Sequence, residues 1–133
     1  SLAGVGLTGD TIRCVLQPVP QVLGVEDELV QIAVNLVANA VQASGPAPDI
    51  EIEVAPQGGG AALFVRDRGP GIPPEVLPRL FDPFFTTKEP GQGTGLGLSL
   101  SFDLARRYDG HLEARSRPGG GAELELWLPG TNG

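Results

Sequence analysis

Hydrophobic and polar positions repeat with two different periods along the 133-residue chain. Apolar residues at every second position are typical of strands with one buried face, and they predict strands over 10–17, 50–54, 62–65, 111–116 and 122–128. Apolar residues at three- and four-residue spacing predict one helix over 26–44 and a second from about 96 to 108. A turn at 57–60 joins two of the strands into a hairpin.

Between residues 66 and 97 the chain is rich in glycine and proline, which excludes a regular element throughout. We expect a long functional loop there, with one helical turn near 75–80. Strands and helices in this order predict a two-layer α/β sandwich, in which one mixed sheet carries helices on one face. The length suits one compact core, so residues 1–133 are interpreted as a single domain, with 1–9 as a linker or a cloning remnant.

The net charge of -7 and the pI near 4.5 restrict the partners that the whole surface can attract. Nucleic acid and anionic lipid would be repelled at long range, so we expect neither nucleic-acid binding nor direct membrane contact. Cys14 is the only cysteine and cannot form an internal disulfide. No apolar run reaches the roughly 20 residues of a membrane-spanning helix. These features predict a cytoplasmic domain and leave open whether the parent protein is anchored in a membrane.

A row of carboxamides runs along the first predicted helix. Gln31, Asn35, Asn39 and Gln42 follow one another at spacings of four, four and three residues, so their side chains lie on one side of the helix. Carboxamides are costly to bury without partners, and the row therefore faces either solvent or a ligand. For the row taken alone, a solvated surface is the favoured interpretation.

Two glycine-rich segments offer further candidate chemistry. Asp67 directly follows a predicted strand and precedes Gly69 and Gly71, which allow the backbone to approach a ligand closely, although a simple turn has the same pattern. The segment 91–98 opens the second helix, where free amide groups and the helix dipole suit phosphate oxygens. It has neither the ending of a P-loop nor the spacing of a dinucleotide fingerprint. Phosphate binding is therefore expected to follow another scheme.

The order of these segments resembles the nucleotide-binding motifs of sensor histidine kinases. The four matching stretches are Asn35-Leu-Val-Ala-Asn39-Ala40 (asparagine box), Asp67-Arg-Gly69-Pro-Gly71 (first glycine box), Phe81-Asp-Pro-Phe84-Phe85-Thr-Thr-Lys88 (phenylalanine box) and Gly93-Thr-Gly95-Leu-Gly97 (second glycine box). The resemblance covers residues 26–128 and is closest to the dicarboxylate-transport and nitrogen-regulation sensors. It implies the Bergerat-type ATP-binding fold, a two-layer α/β sandwich with a mixed, mostly antiparallel sheet.

The resemblance implies ATP and Mg²⁺ as cofactors and assigns roles to individual positions. Asn39 would be the magnesium ligand, and Asp67 would accept a hydrogen bond from the adenine amino group. Further expected contacts to the nucleotide come from Gly69, Gly71, Lys88, Gly93, Thr94, Gly95, Leu96 and Gly97. Phe81, Phe84 and Phe85 would anchor a lid.

Asn35 and Lys88 are the expected catalytic residues. Lys88 is the only lysine of the chain, and phosphoryl transfer needs positive charge near the γ-phosphate, although an exposed lid lysine has the same pattern. Asn35 stands where related gyrase-type ATPases carry a water-activating glutamate, and an amide cannot act as a base. Gln42 and Ala122 depart from the usual basic residue and threonine of the family.

The implied function is transfer of the ATP γ-phosphate to a histidine on a separate dimerisation domain of the same parent protein, with a response regulator downstream. Three alternatives are weighed against it. An ATPase of the gyrase or mismatch-repair type is disfavoured by Asn35, and a serine kinase of the anti-sigma-factor type is disfavoured by the phenylalanine box. A nucleotide-gated interaction module without transfer is disfavoured by the intact motifs.

Overall fold

The computed structural model describes residues 11–22, 24–44, 49–82 and 97–131, which form two layers. One layer is a sheet of β1 (Thr11–Leu16), β2 (Asp49–Gln57), β3 (Gly60–Arg66), β4 (His111–Ser116) and β5 (Ala122–Pro129). The other layer contains α1 (Glu26–Ser44) and α2 (Gly97–Arg107). Within the described part of the segment that is expected to be a loop with one helical turn, residues Leu77–Arg79 form a 3-10 turn.

The strands are arranged in the order β1-β2-β3-β5-β4. β1 pairs with β2 in parallel, and the other three pairings are antiparallel. The parallel pair arises because α1 lies between β1 and β2 in the chain, and a helical crossover returns the chain in the same direction. The predicted mixed, mostly antiparallel sheet is confirmed.

The core lies between one face of the sheet and the two helices. On α1 the residues Ile32, Leu36 and Ala40, at four-residue spacing, are at most 1% exposed. They pack with buried strand residues such as Val65 and Leu124, which are register partners on β3 and β5. The predicted amphipathic helix is confirmed with the predicted bounds. No helix in the described ranges is both long and apolar enough to cross a bilayer.

The outer face of the sheet, which is the face turned away from the helices, carries a cross-strand network of charges. Arg66 on β3 forms ion pairs with Glu51 and Glu53 on β2 at 3.0 and 2.9 Å, and with Glu123 on β5 at 2.6 Å. Arg115 on β4 forms further ion pairs with Glu123 and Glu125. Side chains on adjacent strands are about 5 Å apart, so this ladder favours one register over any slipped pairing.

Glu123 sits between the two arginines of this network. Partial burial alone would raise its pKa, but hydrogen bonds and charge attraction from Arg66 and Arg115 outweigh burial and hold the pKa of Glu123 below the usual 4.5. The ionised form is therefore favoured in the folded state. Its contribution to stability is fully present above pH 4.5 and is lost as the pH falls through the lower pKa of the folded protein.

Replacing Leu36 by alanine should lower the free energy of unfolding by about 2–5 kcal/mol, because it leaves a cavity at a fully buried position. Val34 on the same helix is 53% exposed, so Val34→Ala should change stability by no more than about 0.5 kcal/mol. Urea denaturation of both variants measures the difference. Equal losses would mean that the apolar stripe of α1 does not face the core.

Glu123→Gln should destabilise the domain at pH 7 by roughly 1–3 kcal/mol, the range of hydrogen bonds to charged groups. Since the variant has no carboxylate to protonate there, it should also lose less stability than the natural sequence as the pH falls below 4.5. Glu113→Gln, whose side chain is 57% exposed on β4, is the matched control and should change neither quantity appreciably. Parallel stability-pH curves for the natural sequence and Glu123→Gln would contradict the prediction.

Candidate functional site

The two helices pack against each other in antiparallel orientation with a definite register. Near one end the Tyr108 hydroxyl donates a hydrogen bond to the carboxylate of Glu28. Seven residues further along α1, the Asn35 amide donates to the Ser101 hydroxyl at 3.2 Å, seven residues back along α2. Continuing by four residues on each helix brings Asn39 level with Gly97, the first residue of α2. The expected metal ligand is therefore at the height of the first residue of α2 along the helix pair.

Asn35 bridges the two helices. Its Oδ1 accepts a hydrogen bond from Gln31 Nε2 at 2.9 Å, and its Nδ2 donates to Ser101, which is fully buried. Both ends of the carboxamide are thus engaged within the protein. A neutral amide has no proton affinity to offer near pH 7, and the hydrogen bond to Ser101 connects α1 to α2. A catalytic role for Asn35 stays a prediction from the sequence.

Asn39, one turn beyond Asn35, is half-buried, and no described residue forms a hydrogen bond with its side chain. Within the described ranges, no group of three or more His, Cys, Asp or Glu side chains could hold a metal ion by itself. A cation at Asn39 would therefore take few protein ligands and complete its shell with phosphate oxygens and water. Mg²⁺ prefers that kind of shell at nucleotide sites, and the amide oxygen is a suitable hard donor.

Asp67 lies directly after β3 and is only 3% exposed. Its Oδ1 accepts hydrogen bonds from the backbone N–H groups of Gly69 at 2.8 Å and Ala122 at 3.2 Å. No described residue donates a hydrogen bond to Oδ2. The buried carboxylate is consequently fixed through one oxygen, and the other remains able to accept a hydrogen bond from a ligand.

Residues 67–72, here called the glycine segment, run between α1 and the turn that joins β4 to β5. A Cβ atom at Gly69 would overlap the carbonyl oxygen of Ala43 in the last turn of α1, so only glycine allows this contact. Gly71 lies against Ser116 and Gly121 on the other side. The contact at Ala43 places the glycine segment one helical turn, about 6 Å along the axis, beyond Asn39.

Sequence reasoning missed the residues of β4 and the β4–β5 turn that hold the glycine segment. Arg117 Nη1 donates to the Asp67 carbonyl at 2.8 Å. The Ser116 hydroxyl accepts from Ile72 N and donates to Ile72 O, both at 3.0 Å. The signal available in the sequence was the run Pro118-Gly-Gly-Gly121, which marks a tight turn but does not reveal its distant neighbour.

The expected phenylalanine anchor lies partly within the described residues. The Phe81 ring stacks on Phe102 of α2 with 5.1 Å between ring centroids, and the Arg106 guanidinium lies 5.7 Å from the Phe102 centroid. Phe81 thus packs on the same helix whose first residue is Gly97. The remaining predicted positions Phe84, Phe85, Lys88, Gly93, Thr94, Gly95 and Leu96 lie outside the described residues.

The described residues therefore form two recognition regions connected by the last turns of α1. At one end, a buried carboxylate and glycine backbone suit a flat polar group such as a nucleobase. At the other end, the amide oxygen of Asn39 and the N-terminus of α2 suit phosphate with a hard cation. An elongated ligand with a base at one end and phosphates at the other fits this order.

Comparisons with known proteins agree with this geometry. Residues 24–132 match the family described as histidine kinase-, DNA gyrase B-, and HSP90-like ATPase. The chain is 37% identical over 110 residues to sensor histidine kinase ZraS of Escherichia coli O157:H7, covering 83% of this chain and 24% of ZraS. It is 42% identical over 114 residues to the C4-dicarboxylate transport sensor protein DctB of Rhizobium meliloti, covering 84% of this chain and 18% of DctB. The chain thus spans about a quarter or less of these relatives.

Solved structures extend the likeness to three dimensions. The mycobacterial sensor histidine kinase MprB superimposes with a TM-score of 0.82 at 26% identity, covering 92% of this chain and 85% of that one. Full-length ShkA in complex with AMPPNP gives a TM-score of 0.77 at 32% identity, covering 91% of this chain and 26% of that one. The chain therefore belongs to the histidine kinase-, DNA gyrase B- and HSP90-like ATPase family and is homologous to the catalytic domains of sensor histidine kinases.

Proposed function

We propose that this chain binds ATP with Mg²⁺ and transfers the γ-phosphate to a histidine on a separate dimerisation domain of the same parent protein. The observation that carries the proposal is the antiparallel register of α1 and α2, which brings Asn39 level with the N-terminus of α2. The buried Asp67 lies next to the glycine segment, one turn further along α1. ShkA, a relative of the same fold, was solved with the ATP analogue AMPPNP.

Asp67 recognises the base in this proposal. Its Oδ1 is occupied by the N–H groups of Gly69 and Ala122, so Oδ2 accepts the hydrogen bond from the adenine amino group. Guanine presents a carbonyl oxygen at the same position, and two acceptors facing each other repel. Burial strengthens this discrimination, because water cannot substitute for the missing donor.

Asn39 and the start of α2 receive the phosphates. The backbone N–H groups at the start of α2 donate to phosphate oxygens, with support from the helix dipole. Asn39 would hold Mg²⁺ through its side-chain oxygen, and Mg²⁺ held there would supply positive charge to offset the charge that develops on the phosphoryl oxygens. The contributions of Lys88, Gly93, Thr94, Gly95 and Leu96 to the phosphates remain predictions from the sequence.

Transfer to a protein acceptor is favoured over hydrolysis because Asn35 cannot activate water. Its amide has no basic atom, and its two polar ends already bond Gln31 and Ser101. The nucleophile is therefore a histidine supplied by another segment of the parent protein, and a response regulator takes the phosphate afterwards. We also propose that the domain works in the cytoplasm, where ATP and response regulators are available.

His111 is not the acceptor in this proposal, although it is the only histidine of the chain. Its ring stacks on Trp127 with 5.4 Å between centroids, and its Nε2 lies 3.4 Å from Glu113 and 3.9 Å from Glu125. Those carboxylates belong to the outer face of the sheet. The sheet itself separates His111 from the helices that carry the nucleotide site.

Asp67→Asn should weaken ATP binding about 10- to 100-fold, because a charge-assisted hydrogen bond to the base contributes roughly 1.5–3 kcal/mol. The affinity for GTP should change much less, so the preference for ATP should fall. Asp103→Asn removes an exposed carboxylate from α2 and serves as the control with unchanged affinity. Calorimetry with both nucleotides tests this, and an unchanged ATP affinity in Asp67→Asn would remove Asp67 from the base site.

Incubated alone with radiolabelled ATP, the chain should bind nucleotide without labelling itself. Mixed with a separately expressed dimerisation domain of the parent protein, it should transfer label to that domain. Asn39→Ala should abolish transfer because it removes the magnesium ligand, whereas Gln42→Ala, an exposed change on the same helix, should not. Acid-labile label on His111 would show that the chain carries its own acceptor and would contradict the proposal.

A further inference from the structure

The hydrogen bonds that orient Asp67 come largely from one distant part of the chain. Asp67 N donates to the Ala122 carbonyl at 2.9 Å, and Ala122 N donates to Asp67 Oδ1 at 3.2 Å. Arg117 Nη1 donates to the Asp67 carbonyl at 2.8 Å. Gly69, through its N–H bond to Oδ1, is the local contributor. The β4–β5 turn and the start of β5 therefore hold both the main chain and the carboxylate of Asp67.

The side chain of Arg117 donates to the Asp67 carbonyl oxygen, as a backbone N–H group would do in a sheet. Gly121 has φ +99°, and a Cβ atom there would overlap the Asp67 carbonyl oxygen, so the turn passes directly over that carbonyl. The N–H of Arg117 bonds the Gly121 carbonyl at 2.9 Å and closes the turn, while its guanidinium bonds Asp67. A buried carbonyl oxygen that accepts no hydrogen bond would destabilise the folded state, and the Arg117 guanidinium donates the bond that prevents this.

Ser116, the neighbour of Arg117, holds the other end of the glycine segment. Its hydroxyl accepts from Ile72 N and donates to Ile72 O, both at 3.0 Å. Ser116, the last residue of β4, and Arg117, the first residue after it, thus hold Ile72 and Asp67, the last and first residues of the glycine segment. Ala122 has no polar side-chain atom that could support Asp67, so the side-chain hydrogen bonds to the glycine segment come from Ser116 and Arg117. These two side chains are called the clamp below.

We infer that Ser116 and Arg117 are positioning residues that set the base selectivity of the nucleotide site. Their side chains bond the main chain of the glycine segment, and this fixes where Oδ2 of Asp67 meets the base. The Arg117 guanidinium bonds the carbonyl rather than pairing with the carboxylate, so it does not compete with a ligand. Selectivity is a difference of affinities, and it falls when an acceptor can move away from an unfavourable partner. The inference rests on the proposed role of Asp67.

The test compares the affinities of the 133-residue chain for ATP and GTP by calorimetry. Arg117→Met keeps the aliphatic stem and removes every donor, so it should weaken ATP binding about fivefold and leave GTP nearly unchanged. Arg117→Lys, which keeps a positively charged donor group at the end of the side chain, should restore most of the preference. Arg115→Met is the matched control: it breaks the outer-face ion pairs and lowers the melting temperature, but it should leave the ratio of affinities unchanged.

Combining Arg117→Met with Asp67→Asn separates the inference from the function on which it rests. If Arg117 acts through Asp67, its replacement should have little further effect on the ratio in the Asp67→Asn background. An undiminished effect there, or an unchanged ratio in Arg117→Met alone while Asp67→Asn lowers it, would overturn the inference and leave the proposed function intact. An unchanged ratio in Asp67→Asn would instead overturn the base site itself.

Ser116→Ala gives an independent reading if Arg117→Met does not fold. It removes one hydroxyl at an exposed position and should lower the preference for ATP about two- to fivefold, without a comparable fall in melting temperature. A preference equal to that of the natural sequence would contradict the clamp.

Discussion

The hydrogen bond from Asn35 to Ser101 is the contact on which the geometry of the site depends. It joins the two helices at Ser101, which is fully buried, so a slipped register would break a buried hydrogen bond. A buried polar contact of this kind specifies alignment more than it adds stability. The height of Asn39 relative to the start of α2 follows from that alignment.

The two faces of the sheet are stabilised by different interactions. The face toward the helices is apolar and supplies the core, with Val65 and Leu124 as neighbouring examples. The outer face is specified by charge, since Arg66 and Arg115 connect carboxylates on adjacent strands. A one-residue slip of any strand would turn charged side chains toward the core. Apolar packing on one face and ion pairing on the other therefore disfavour the same slipped registers. The register of the sheet in turn fixes the position of the end of β3, and with it the position of Asp67, the next residue.

Local pattern was sufficient for the elements and for much of the site. The apolar stripe of α1 predicted its bounds at 26 and 44, and the strand before Asp67 placed that carboxylate at a strand end. Pattern could not supply contacts between distant segments. Arg117 bonds Asp67, which is 50 residues away in the sequence, and Asn35 bonds Ser101, which is 66 residues away. Hydrophobic periodicity indicates which face of an element is buried, but it does not indicate which residues of distant elements meet. Lys88 and the second glycine box before Gly97 remain predictions.

The stacking of Trp127 on His111 has a practical consequence. They are the only tryptophan and the only histidine of the chain, and both lie on the outer face of the sheet. Trp127 is also tied to β2 through a hydrogen bond from its indole N–H to the Gln57 carbonyl. The fluorescence of Trp127 should therefore change when the sheet unfolds and should change little when a ligand binds on the helical side. The chain thus has an intrinsic optical signal that separates loss of structure from loss of binding.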